Sequence, residues 1–159
     1  MIRDVVEYKN INFDEKFTPF LKGFEELRIS NKGAFVLFAT LGLKDNEIMN
    51  GEWKYVSLKR KGKELRSGTD SEYEPAVDIL ICKLSSLIGE NKPADIFTSE
   101  ELCNKYVNYL MNIANLYCEK LVENDFIEYK NGTPKNNVSG FVLLVCDLIN
   151  QIFIDEPEF

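Results

Sequence analysis

Carboxylates come closest to forming a catalytic group in this chain, because paired acids can exchange protons or hold a cation. Four pairs occur: Glu25–Glu26, Glu100–Glu101, Asp155–Glu156 and, one helical turn apart, Glu119 with Glu123. The first three are expected at loops or helix ends, where solvated carboxylates are common. Glu119 and Glu123 lack a third acid at a matching spacing, so we predict no catalytic residue and no metal site.

Histidine is absent from the sequence of 159 residues. This removes the commonest general base and every Ser–His or Cys–His nucleophile pair. The four cysteines are widely spaced, with no Cys-x-x-Cys pair of the kind found in zinc or redox sites: Cys82, Cys103, Cys118 and Cys146. Each lies in an apolar helical context, which favours buried, reduced thiols. We therefore expect a protein that is not an enzyme and that has no cofactor.

A polar stripe follows one side of the longest helical segment, 98–123. Its members fall within an arc of about 100° on a helix: Asn104, Asn108, Asn112, Asn115, Glu119 and Glu123. Asparagine is an indifferent helix former, so four asparagines on one side indicate a polar contact. The first five residues of the stripe are our predicted partner-binding site. The alternative is that this side of the helix faces water.

Six cations lie within thirteen residues of an otherwise acidic chain: Lys54, Lys59, Arg60, Lys61, Lys63 and Arg66. The last five are our predicted contact site for nucleic acid or an acidic partner, and the alternative is a solvated loop. The net charge of −7 argues against nucleic-acid binding over the whole surface. The Lys-Gly-Lys sequence at 61–63 also lacks the spacing of a nucleotide-binding P-loop.

The polar stripe belongs to a helix predicted over 98–123. Thr98 and Glu101 have the spacing of a capping box at its start. Neither Gly nor Pro interrupts the segment, and apolar residues at spacings of three and four cover its other side. We expect this helix to be buried over most of its circumference and the other helices to pack around it.

Three further helices and two strands are predicted. Ser30 is a candidate N-cap for a helix over 30–41 that Gly42 would end. Its apolar core, 34–39, is also compatible with a buried strand. A helix over 71–88 would end at Gly89, and a last helix is predicted over 141–153. Short strands are predicted at 53–56 and 126–129.

Together these elements predict a mainly α fold. We expect a single compact domain, 1–159, of four to five helices around the long central helix, with a minor β hairpin or short strands. Residues 1–29 form an irregular lead-in with a short helix that begins near 13–17 and that Gly23 ends or loosens. Residues 124–159 add a strand and a helix.

No apolar run approaches the ~20 residues that a membrane span needs. Acidic residues near the N-terminus occupy the place of the apolar region of a signal peptide. We therefore expect a cytoplasmic protein without a membrane partner.

Two short segments carry a family resemblance: FVLFATLGL at 35–43 and ANLYCEKL at 114–121. They are similar to the apolar helix ending in A-x-L-G-[YL] and to the ANGGLEIL signature of the DNA-phosphorothioation-associated family, fourth Dnd-system-associated type. The matching residues are Phe38, Ala39, Leu41 and Gly42 in the first segment and Ala114, Asn115, Glu119 and Leu121 in the second. Thr40 replaces a small apolar residue, and Leu116 and Tyr117 replace two glycines that would allow close backbone approach. The resemblance covers about residues 25–123.

The resemblance implies a context, bacterial defence against foreign DNA, and no reaction, because the family has no assigned catalytic residues. Our first hypothesis is an accessory subunit of a DNA-modification or restriction system that docks on a larger enzyme partner, with self-association left open. One alternative is a phage- or mobile-element-encoded acidic inhibitor that occupies the DNA groove of a nuclease. Another is a weak DNA-binding regulator that uses the basic loop 54–66, with an affinity that falls steeply with salt.

Overall fold

The computed structural model describes residues 11–59 and 74–124, together with Cys146, Asp147, Ile149 and Asn150, which are helical. The two ranges contain six α-helices: α1 Thr18–Glu26, α2 Asn31–Lys44, α3 Asn46–Met49, α4 Glu74–Ile88, α5 Pro93–Phe97 and α6 Glu100–Asn124. They also contain two short 3-10 helices, Glu15–Phe17 and Trp53–Tyr55. In the part of the chain described, no helix is long and apolar enough to cross a lipid bilayer. The fold is mainly α, as predicted.

The central element is α6. Helix α2 packs along it most extensively, and α3, α4, α5 and the 3-10 helix Trp53–Tyr55 also contact it. Fully buried residues lie along most of its length: Cys103, Leu110, Ile113, Ala114 and Cys118. The long central helix that the sequence predicted is therefore confirmed.

The start of α6 differs from the predicted capping box. The Thr98 hydroxyl donates to the carbonyl of Ala94 over 2.8 Å, because Thr98 is the C-cap of α5. Ser99 instead caps α6, since its Oγ accepts from the amide of Leu102 over 3.2 Å. The helix begins at Glu100, so Glu101 lies one position too early to close a capping box.

Helix α2 begins at the predicted cap, because Ser30 Oγ accepts from the amide of Gly33 over 3.1 Å. It runs past Gly42 and ends at Lys44. A Cβ atom on Gly42 would lie 2.5 Å from Ile113 Cγ2 and 3.1 Å from the Ile113 carbonyl oxygen. Gly42 therefore lets the backbones of α2 and α6 approach closely, and the prediction that it stops the helix is wrong.

Helix α1 passes through Gly23, which was predicted to end or loosen it. The helix ends further on, where Arg28 adopts a left-handed φ of 62°. The amide of Arg28 donates to the Glu25 carbonyl over 2.8 Å, and the amide of Ile29 donates to the Phe24 carbonyl over 2.9 Å. These two bonds form a Schellman motif, so Arg28 ends the helix although it is not a glycine.

Helix α4 ends where the sequence predicted. Gly89 follows it with a left-handed φ of 72°, and the Gly89 amide donates to the Ser85 carbonyl over 2.9 Å. The inward side of α4 carries the buried residues Val77, Leu80, Ile81 and Leu84.

Short helices and turns take the place of the first predicted strand, and the described ranges contain no strand. Trp53–Tyr55 is a 3-10 helix, and two hydrogen bonds fix its first residue, Trp53. The Trp53 indole Nε1 donates to the Met49 carbonyl over 3.2 Å, and the Trp53 carbonyl accepts from Asn112 Nδ2 over 2.9 Å. The predicted strand at 53–56 is therefore wrong. The predicted strand at 126–129 and most of the predicted helix at 141–153 lie outside the described residues.

An aromatic cluster joins residues 11–17, which we call the N-terminal segment, to α1, α2 and α6. The Phe38 ring is at its centre, with centroids 5.5 Å from Phe24, 6.0 Å from Phe13 and 6.2 Å from both Phe20 and Tyr117. All five rings are buried, and such aromatic pairs add to the stabilisation from buried area alone. The cluster holds the N-terminal segment against the C-terminal half of α6, where the candidate site lies.

Candidate functional site

The polar stripe of α6 is divided between solvent and core. Asn104 and Asn108 are exposed and Glu119 is half-buried, whereas Asn112 is 4% exposed and Asn115 is 1% exposed. Two chain segments cover the last two asparagines. The stripe is therefore not one exposed face, and the prediction that Asn112 and Asn115 contact a partner is corrected by their burial.

Asn115 fixes the N-terminal segment to α6. Its Oδ1 accepts from the backbone amide of Asp14 over 2.6 Å, and its Nδ2 donates to the Met111 carbonyl over 2.7 Å. The Asp14 carboxylate in turn accepts from the amides of Lys16, over 3.0 Å, and Lys59, over 2.9 Å. One buried asparagine therefore orders two segments that are far from it in sequence.

Asn112 fixes the second covering segment. Its Nδ2 donates to the carbonyl of Trp53, and the Trp53 indole packs edge-on against Tyr109, with centroids 5.2 Å apart. Asn112 Oδ1 is buried and has no hydrogen-bond partner among the described residues. The role of Asn112 is therefore to position the 3-10 helix that follows α3.

An open groove of about 510 Å³ lies between the C-terminal half of α6 and the segment 47–56, which supplies residues of α3 and residues on both sides of the 3-10 helix Trp53–Tyr55. Its apolar residues are Ile48, Val56 and Leu116, and its charged residues are Glu47, Glu52, Glu119 and Lys120. Glu119 is the one residue of the predicted partner-binding site that lines it. We call this surface the 47–120 groove.

Three ion pairs hold the charged residues that α6 contributes to the groove. Lys120 Nζ lies 2.6 Å from Asp45 Oδ2 and 3.5 Å from Glu47 Oε2. On the other side, Lys16 Nζ lies 2.8 Å from Glu119 Oε1. The groove is thus bordered by pairs that tie α6 to α3 and to the N-terminal segment.

The Asp45–Lys120 pair shifts the pKa values of both groups. Burial alone would raise the pKa of Asp45, but hydrogen bonds from Lys120 and the Ile48 amide, with the charge of Lys120, lower it below its ordinary value. The hydrogen bond to Asp45 is the largest influence on Lys120 and raises its pKa. Both groups are therefore charged at neutral pH.

The basic patch is described only at its edge. Lys59 is exposed and its Nζ lies 3.0 Å from Glu15 Oε1, and the hydrogen bond to Glu15 raises the pKa of Lys59. Lys54 Nζ lies 3.5 Å from Glu90 Oε1. The other members, Arg60, Lys61, Lys63 and Arg66, lie outside the described residues, so the predicted contact site stays a prediction.

The cysteines do not form a site in the described ranges. Cys103 and Cys118 are buried, Cys82 is half-buried and Cys146 is exposed, all as free thiols. Burial raises the pKa of the Cys118 thiol well above its ordinary value and, with the charge of Asp78, also raises that of Cys82. Among the described residues, no three acidic, cysteine or histidine side chains are grouped to hold a metal ion.

A second, smaller cavity of about 100 Å³ lies beside the N-terminal segment and has room for a few water molecules. Its lining includes Asn31, whose Oδ1 is buried without a described hydrogen-bond partner. The cavity is too small for a side chain of a partner together with its backbone. The 47–120 groove is therefore the better candidate for a binding site.

Sequence reasoning missed most of this groove. Leu116 lies on α6 outside the predicted polar stripe, Val56 lies in the strand predicted at 53–56, and Glu47 and Glu52 lie in no predicted element. Glu47 and Glu52 are five positions apart, a spacing that does not place them on one side of a helix. The groove arises where two distant segments meet, so no local pattern could reveal it.

Three comparisons with known proteins were without result: no family model, no curated protein and no solved structure matches the chain.

Proposed function

We propose that this protein is a non-enzymatic accessory subunit of a bacterial DNA-modification or restriction system and that it acts by docking on a larger enzyme. The observation that carries the proposal is the 47–120 groove, an open surface lined by both apolar and charged side chains. Open, mixed surfaces of this kind suit a segment of another protein better than a small molecule, which pockets usually bury almost completely.

The absence of histidine from the sequence supports the non-enzymatic part of the proposal. Two carboxylates at or beside the groove are held in ion pairs: Asp45 with Lys120 and Glu119 with Lys16. The pKa of Asp45 is lowered by its contacts, which makes this carboxyl a poor general acid.

The two family-like segments support the bacterial-defence context. They lie on α2 and α6, which pack against each other, and the ring centroids of Phe38 in the first and Tyr117 in the second are 6.2 Å apart.

The test is recovery of the tagged protein from its native host at moderate salt, with and without nuclease. We expect a larger DNA-modification or restriction protein in both samples. Loss of the larger protein after nuclease treatment would identify DNA as the ligand. That result would favour the DNA-binding regulator instead. Recovery of no such protein would overturn the proposal.

Matched variants locate the docking surface in the same experiment. Leu116→Arg places a charge in the groove and is expected to abolish recovery of the partner. Ile79→Arg introduces the same charge at an exposed position of α4, where Ile79 is 59% exposed, and is expected to leave recovery intact. Equal recovery with both variants would exclude the groove as the docking surface.

The net charge of −7 favours one second candidate, an acidic inhibitor of a nuclease. Such a protein would present carboxylates in place of DNA phosphates. The discriminating measurement is cleavage of DNA by the host restriction nuclease with the purified protein added. Stoichiometric inhibition would favour the inhibitor, and unchanged cleavage would favour the accessory subunit.

A further inference from the structure

The residues that line the 47–120 groove indicate which side chains of a partner would bind there. Its apolar lining residues are Ile48, Val56 and Leu116, and its charged lining residues are three carboxylates and one ammonium group. A segment that occupies the groove would therefore meet apolar surface together with a net negative charge.

The carboxylates of the groove are not equally available. Glu119 is bonded to Lys16 over 2.8 Å. The side chain of Glu47 is 84% exposed and touches Lys120 only at 3.5 Å, and no described residue forms an ion pair with Glu52. Glu47, in α3, and Glu52, in the turn that follows α3, are therefore the carboxylates that an incoming cation would meet.

The positive charge of Lys120 does not remove the preference of the groove for a cation. Its ammonium group lies 2.6 Å from Asp45, whose carboxylate is also fixed by the Ile48 amide. A second anion would have to compete with this pair. The positive charge in the groove is thus already neutralised from within the fold.

We propose that the groove binds a partner segment that carries an arginine beside an aliphatic residue. The aliphatic side chain packs on Ile48, Val56 and Leu116, and the guanidinium group contacts the carboxylates of Glu47 and Glu52. Arginine suits this lining better than lysine because its planar guanidinium binds carboxylates with paired hydrogen bonds and loses less hydration against apolar surface. This inference rests on the proposed function, since it names the chemistry of the docking segment.

The probe is the peptide acetyl-Ala-Leu-Arg-Leu-Ala-amide, added to the full-length protein at low salt. Methyl resonances of Ile48, Val56 and Leu116 report binding in the groove. We expect saturable shifts of these methyl groups. Replacing the arginine by citrulline, its neutral analogue, should weaken binding about 1.5- to fivefold, the range expected for exposed ion pairs.

Charge variants of the protein provide the control. Glu47→Gln with Glu52→Gln should weaken binding of the arginine peptide by the same factor and leave the citrulline peptide unaffected. Glu100→Gln with Glu101→Gln removes the same charge at the start of α6 and should change neither. Equal binding of the two peptides, preference for an acidic peptide, or shifts confined to other methyl groups would overturn the inference.

The experiments distinguish failure of the accessory function from failure of the arginine-binding inference. If the native partner is recovered but the arginine peptide does not bind, the partner docks elsewhere and the groove inference alone is wrong. If the peptide binds as expected but no partner is recovered, the groove is an arginine-binding surface and the accessory function is wrong.

Discussion

Asn115 is the residue on which the order of the N-terminal segment depends most directly. It accepts from the Asp14 amide and donates to the Met111 carbonyl from a position that is 1% exposed. Alanine at this position would leave the buried Asp14 amide without an acceptor. We expect Asn115→Ala to lower the free energy of unfolding by about 1–3 kcal/mol, measured by urea denaturation with circular dichroism.

Asn104→Ala is the matched control, because it replaces an exposed asparagine on the same helix and gains the same helix propensity. It should leave the free energy of unfolding within about 0.5 kcal/mol of the wild type, or raise it slightly. Equal stability of the two variants would contradict the role assigned to Asn115.

The roles of single residues could be predicted from the sequence where their partners are near in the chain. Ser30 caps α2 through an amide three residues away, and Gly89 ends α4 through its own backbone conformation. Gly42 and Asn115 were misjudged because their partners, Ile113 and Asp14, are far away in sequence. A glycine at a helix stop and a glycine at a helix contact look the same locally.

At the scale of elements, the Asp45–Lys120 ion pair is the shorter of two that join α3 and its N-cap to α6. Asp45 both caps α3, by accepting from the Ile48 amide over 3.1 Å, and binds Lys120 over 2.6 Å. Asp45→Asn keeps an oxygen for the cap and removes the negative charge. We expect the free energy of unfolding at pH 7 to fall by about 0.5–1 kcal/mol.

The same pair gives this effect a pH dependence. The pKa of Asp45 is lowered in the folded protein from its ordinary value of 3.8, so the pair stabilises the fold above that value and is lost as pH falls through the lower, folded pKa. The difference between wild type and Asp45→Asn should therefore shrink below pH 3.8. Urea unfolding across this range tests it, with Glu52→Gln as a control that changes an exposed acid. If the difference in the free energy of unfolding between wild type and Asp45→Asn stays constant with pH, it does not come from the Asp45–Lys120 ion pair.

At this scale the sequence predicted helices well and their connections poorly. The apolar periodicity of α4 and α6 is strong over 15 and 25 residues, so both helices could be predicted from the pattern. The segment after α3 was assigned to a strand because Trp and Tyr favour strands. Its 3-10 conformation depends on hydrogen bonds from Trp53 to Met49 and from Asn112 to Trp53, and the second of these comes from a distant helix.

For the whole molecule, burial of α6 against four other helices predicts how the thiols react. Cys103 and Cys118 lie in the core, Cys82 is half-buried and Cys146 is exposed. Since α2, α3, α4 and α5 all contact α6, no single helix can expose Cys118 fully without separating from the rest. The high pKa of the Cys118 thiol further reduces its reactive thiolate form.

We therefore expect a maleimide reagent to modify Cys146 first and Cys82 more slowly in the native protein. Cys103 and Cys118 should react at least about 10³-fold more slowly than Cys146, because their exposure requires unfolding of the core. Mass spectrometry of the labelled peptides measures the four rates. The control is the fully denatured protein, in which all four thiols should react alike.

Asn115→Ala should speed the modification of Cys118, since that substitution weakens the same core. The rate should rise by the factor by which the substitution raises the population of the unfolded protein. Rapid labelling of Cys118 in the wild type would mean that α6 is not enclosed, and the account of the groove beside it would then fail as well.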